Sequence, residues 1–167
     1  GSHCPYEIIP DSKPDYASIR QALSRTLGEG KSIDFENDEA FFCLSDGKFR
    51  NRITLMHMHE FTKAELDAVR KKINRRVNRE FDLPSRAPLA ETYRMMRTNI
   101  IVADEMNGEL YEFISCNAAR LLTRAEGIIS FAVVSGRLIV PPFYGSTDSA
   151  EISRYKESVG LIKGYLG

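Results

Sequence analysis

Three dipeptides, Asp46-Gly47, Asn107-Gly108 and Ser135-Gly136, constrain this chain more than any other feature. A two-residue hairpin turn needs positive φ, which Gly adopts freely and Asn or Asp tolerates. The first pair lies between Ala40–Ser45 and Lys48–His59, and the second between Asn99–Asp104 and Glu109–Cys116. The third lies between Gly127–Val134 and Arg137–Val140. These flanks are rich in β-branched and aromatic residues, so the pattern predicts three β-hairpins. The third is apolar on both faces, through Ile129, Phe131, Val133, Leu138 and Val140 among others, and belongs centrally in a sheet.

Helical periodicity fills the intervals. Asp15–Leu27 carries Tyr16, Ile19, Leu23 and Leu27 on one stripe and is closed by Gly28. Thr62-Lys63-Ala64-Glu65 reads as a capping box, followed by Leu66, Val69, Ile73 and Val77 at helical spacing as far as Glu80. Ser85–Thr98, Asn117–Glu126 and Asp148–Ile162 are three further expected helices, and Glu29–Asn37 a loop or irregular strand. The expected class is α+β: a mainly antiparallel sheet built from three hairpins with helices packed on it. Residues 4–167 read as a single domain, with Gly1-Ser2-His3 as an expression scar.

Composition narrows the class of function. With 43% hydrophobic and 28% charged residues the chain is of ordinary globular composition, which excludes collagen-like and disordered types. The longest apolar runs, Gly127–Val134 and Leu138–Pro142, fall far short of the roughly 20 residues that span a bilayer, so no membrane span is expected. Cys4, Cys43 and Cys116 are odd in number and lack C-x-x-C spacing. That favours a reduced, intracellular and cytoplasmic setting over a secreted chain with one disulfide.

Lys+Arg 23 balances Asp+Glu 23, yet the charge is unevenly placed. Residues 1–46 carry 4 basic and 9 acidic side chains, and residues 48–97 carry 13 basic and 6 acidic. On the helix from Thr62 to Glu80, the cations Lys71, Lys72, Arg75, Arg76 and Arg79 share an arc of about 140° opposite the apolar stripe. Arg50 and Arg52 on the preceding strand could extend that surface. Such a face suits an anionic partner, either an acidic protein surface or a nucleic acid. It could equally be a solvated face, or pair with the acidic N-terminal block inside the molecule or across a homo-oligomer.

Candidates for chemistry are few. His57 and His59 are i and i+2 on an expected strand, so their rings share one face, and Glu60 follows directly. Two imidazoles and a carboxylate are the ligand types of a hydrolytic metal centre, whereas Met56 and Met58 point to the opposite face as core residues. Gly28-Glu29-Gly30-Lys31-Ser32 lacks the first glycine of a phosphate loop, where Arg25 stands, and follows a helix instead of a strand. Asp46-Gly47-Lys48 is better explained as a turn than as a nuclease D-x-K core, and Ser153-Arg154-Tyr155-Lys156 lacks the companion motifs of acyl-serine enzymes. The sequence therefore assigns no catalytic residue and implies no cofactor. Its leading reading is a non-catalytic binding or assembly domain that presents the basic helix 63–79 to an acidic partner. The alternative is a metal-dependent hydrolase using His57, His59 and Glu60.

Overall fold

The second of the three dipeptides does not make a turn, and the architecture follows from that. Asn107 has φ −128° and ψ 171°, and its side-chain Oδ1 accepts from the Leu110 N–H at 2.7 Å. It is a helix N-cap, and its Nδ2 also donates to the Phe61 carbonyl at 3.0 Å. The residues after it form a helix with Leu110, Phe113 and Ile114 buried at helical spacing. A helix in place of the tight turn gives the chain the length it needs to cross over into a parallel pairing.

The computed structural model describes residues 4–27, 30–35, 38–46, 49–81, 95–120, 127–143 and 149–166. In chain order these contain β1 (Tyr6–Ile8), α1 (Tyr16–Thr26), β2 (Lys31–Phe35), β3 (Glu39–Asp46), β4 (Phe49–Met58) and α2 (Lys63–Phe81). They continue with β5 (Met95–Ala103), α3 (Gly108–Cys116), β6 (Ala119–Arg120), β7 (Gly127–Val134), β8 (Arg137–Val140) and α4 (Ser149–Leu166). Seven strands run in the order β1-β8-β7-β5-β4-β3-β2, and the two-residue β6 adds to β7. β4, β5 and β7 are mutually parallel, and antiparallel pairs flank them on both sides.

The class is therefore α+β, but the sheet is mixed, not a mainly antiparallel set of three hairpins. The Ser135-Gly136 hairpin forms, with both turn residues at positive φ (51° and 75°). β3 and β4 also pair antiparallel across Asp46 and Phe49, while residues 47–48 lie outside the described ones. Other boundaries shift too. Met95–Thr98, expected to close a helix, begins β5, and the rest of that expected helix lies outside the described residues. Asn117 ends α3 and Ala119–Arg120 is a strand, where a helix was expected to start. Lys31–Phe35, expected as loop or irregular strand, forms the edge strand β2. α4 continues through Gly160 and Gly164 to Leu166.

The parallel centre dictates the layers. α2 and α3, the two crossovers, pack on one face through Leu66, Ile73, Leu110 and Ile114 against Met56, Ile101 and Ala132. α1 and α4 cover the other face, with Ile19, Leu23 and Ile162 against Leu55, Ile100 and Phe131. A parallel sheet is stable only with both faces buried, and the four helices among the described residues cover them. Two buried polar pairs tie the central strands together. Thr98 Oγ1 donates to Asn51 Oδ1 at 3.0 Å, and Asn99 Nδ2 donates to Ser130 Oγ at 3.0 Å.

Two glycine substitutions test the reassigned turn. A Cβ at Gly108 meets nothing within 4 Å, and its φ is not positive, so Gly108→Ala should keep stability or raise it by up to about 1 kcal/mol. Gly136, at φ 75° with Lys13 Cβ 3.1 Å from an added Cβ, should lose at least about 1 kcal/mol as Ala. Urea unfolding of both variants checks this; a hairpin at Asn107-Gly108 would make both changes destabilising.

Candidate functional site

The carboxyl ends of parallel strands are where open α/β sheets place ligands, because loops and helix starts converge there. Here β4 ends at Met58 and β5 at Ala103, so their parallel register brings His57 beside Val102 and Met58 beside Ala103. Asp104, the residue after β5, then meets both histidines. His57 Nε2 lies 2.7 Å from Asp104 Oδ1, and His59 Nδ1 makes a close contact with Asp104 Oδ2. The second ring nitrogen of His57 faces Asp38 Oδ2 at 3.3 Å, and its main-chain N–H donates to the Asp38 carbonyl at 2.9 Å. Asp38 holds this position at φ 61°, immediately before β3.

Both ring nitrogens of His57 thus face carboxylates, and an ionised carboxylate only accepts. His57 satisfies both as the doubly protonated imidazolium. The hydrogen bond to Asp104 is the main reason its pKa stands above the ordinary histidine value, with Asp38 adding to it against the cost of burial. Asp104 is held below the usual carboxylate range, first by His57 and then by His59. Around the cluster lies a cleft of about 450 Å³ bounded by Pro14, Tyr16, Val133, Ser135 and Gly136. The Tyr16 ring lies 6.2 Å from that of His57, and burial pushes its hydroxyl up to about 12.

The metal set expected from the sequence is brought together only in part. His57 and His59 converge, but Glu60 is exposed and makes no hydrogen bond to either; Asp104 stands in its place. Among the described residues no group of three or more His, Cys, Asp or Glu side chains is arranged to hold a metal ion. Met56 and Met58 are buried on the opposite face, under α2. The sequence reading joined neither Asp104 nor Asp38 to the histidines; it placed Asp104 beside a hairpin turn, not at the end of a parallel strand. The available signal was an apolar run ending in an acid, Ile100–Ala103 before Asp104.

The expected cationic surface lies on the other face, at the sheet's edge. Leu66, Val69, Ile73 and Val77 are buried, and Lys71, Lys72, Arg75 and Arg79 are exposed. With Arg76, Ala68 and Phe35 of β2, these four cations line an open groove of about 840 Å³. Two of the five are engaged internally. Lys72 closes on the buried carboxylate of Glu39, while Arg76 Nε bonds Glu80 at 2.8 Å and its guanidinium covers the Phe35 ring at 4.8 Å. Lys71, Arg75 and Arg79, one helical turn apart, pair with no acid among the described residues. Arg52 is half-buried in β4, has interactions of its own, and does not line the groove; the Arg50 side chain lies outside the described residues.

Cys4, Cys43 and Cys116 are all free thiols. No helix among the described residues is long and apolar enough to cross a membrane. Compared with protein families, with curated proteins and with solved structures, this chain matches none.

The His57 cluster predicts a pH-dependent stability. Its folded pKa is raised, so its contribution is complete below the ordinary value of 6.5 and is lost as pH rises through the folded value. Asp104, being lowered, contributes above 3.8 and loses that contribution as pH falls. His57→Gln should therefore destabilise the protein more at pH of about 5.5 than at about 8.5, measured by urea unfolding. An equal cost at both, or an NMR titration midpoint for His57 at or below 6.5, would contradict this arrangement.

Proposed function

We propose that this chain is a binding or assembly module whose basic helix α2 takes an anionic macromolecule in the groove beside β2. One observation carries the reading: Lys71, Arg75 and Arg79 stand at successive turns with no acid partner among the described residues, in a groove of about 840 Å³. A helix face that existed only to be solvated would gain from interspersed acids at i+4, as Lys63 gains from Asp67 at 2.7 Å nearer the start of α2. Along the three-cation row that pairing is missing, and the like charges repel one another at a small cost. A row of negative charges would relieve it.

The rival reading, a metal-dependent hydrolase at His57, His59 and Glu60, has weaker support. Glu60 stands apart from both histidines, and among the described residues no three His, Cys, Asp or Glu side chains are arranged around one ion position.

Lys71, Arg75 and Arg79, replaced together by Gln, test the groove. Exposed charges contribute about 0–1 kcal/mol each, so the variant should fold with nearly unchanged stability. Its affinity for polyglutamate and for oligouridylate, followed by fluorescence anisotropy at several salt concentrations, should fall at least about tenfold, with a flatter salt dependence. Unchanged binding of both probes would remove the proposal.

A further inference from the structure

Resting on that reading, we infer that the groove's occupant is an acidic peptide in extended conformation, which adds as a strand to the free edge of β2. β2 ends the sheet, and among the described residues no strand pairs with its outer side. Such an edge offers a row of unmet main-chain groups to another chain. Arg76 shows which groups these are. Its Nη1 donates to the main-chain carbonyl of Asp34 at 3.3 Å, which places that carbonyl on the strand's outer side. Main-chain direction alternates along a strand, so the N–H and C=O of Ser32 face outward as well.

The same guanidinium argues against a single-stranded nucleic acid. Base stacking needs an open aromatic face, and Phe35, the groove's one aromatic ring among the described residues, is already covered by Arg76 at 4.8 Å. Spacing favours a strand. Lys71, Arg75 and Arg79 repeat every four residues, about 6 Å along the helix axis. Side chains on one face of a strand repeat every two residues, about 6.7 Å. An acid at every second position therefore meets one cation per turn while the peptide's main chain pairs with Ser32 and Asp34. The incoming N–H replaces Arg76 at the Asp34 carbonyl, while the guanidinium keeps its place over Phe35 and its bond to Glu80. Specificity then comes from main-chain pairing and charge alternation together.

The probe is acetyl-(Glu-Thr)5-amide, titrated calorimetrically and followed by NMR. Binding should be saturable and should protect the Ser32 and Asp34 amide protons from exchange. Two further peptides carry N-methyl groups on every glutamate or on every threonine, which removes donors without changing charge. Whichever series faces β2 should lose at least about tenfold in affinity. Ser32→Pro should do the same from the protein side, since proline is tolerated on an edge strand where its N–H would face outward. If the peptide fails to bind, if both methylated peptides bind as well as the parent, or if a ten-residue oligouridylate binds more tightly than the peptide, the strand inference is overturned. In the last two cases the anionic groove survives. If the Lys71, Arg75 and Arg79 variant binds peptide and oligouridylate as the wild type does, the groove reading itself falls.

Discussion

The parallel pairing of β4, β5 and β7 is the constraint on which the rest of this structure depends. Parallel neighbours cannot be joined by a tight turn, so each step costs a helix, and α2 and α3 are those helices. Both cross on one face, which leaves the other to α1 and α4. Two buried polar pairs, Asn51 with Thr98 and Asn99 with Ser130, bridge the largely apolar central strands. A one-residue slip would leave these groups without partners in an apolar interior, at about 1–3 kcal/mol for each. Register is thereby fixed, and with it the meeting of β4 and β5 at their carboxyl ends.

From that register the two candidate surfaces separate onto opposite faces. Asp38 and Glu39 are neighbours in sequence, and successive strand side chains point to opposite sides of a sheet. Asp38 reaches His57 near α1, while Glu39 reaches Lys72 on α2. One pair of adjacent acids thus serves both the histidine cluster and the cationic groove. The acidic character of the N-terminal block is partly spent inside the molecule, through these contacts and through Arg20 with Asp34 at 2.8 Å. The row Lys71, Arg75 and Arg79 is left without an acid partner among the described residues.

Much of the cationic surface was legible in the sequence, since a helix with a clear apolar stripe orients every other side chain on it. Leu66, Val69, Ile73 and Val77 defined the buried side, and the cations followed at fixed angles. The histidine cluster was only half legible. A strand's period of two put His57 and His59 on one side, but the partner that joins them, Asp104, is 45 residues beyond His59. No local pattern carries a contact of that separation. The error at Asn107-Gly108 has a physical basis: Asn favours both a left-handed turn and a helix N-cap, and Gly is tolerated in either. Leu110, Phe113 and Ile114 were the discriminating residues, with spacings of three and one that suit a helix and break a strand's alternation.

Local periodicity by itself determined that this chain alternates strands with amphipathic helices, that α1, α2 and α4 exist, that the Ser135-Gly136 turn closes a hairpin, and which face of α2 is charged. Those are properties of residues within a few positions of one another, where sterics and burial act directly. Tertiary structure alone decided that the sheet is mixed, that Lys31–Phe35 is an edge strand, that Asp104 and Asp38 bracket His57, and that Phe35 sits beneath Arg76. Strand order and cross-strand neighbours depend on which apolar faces bury each other best across the whole chain, and that sum has no local signature.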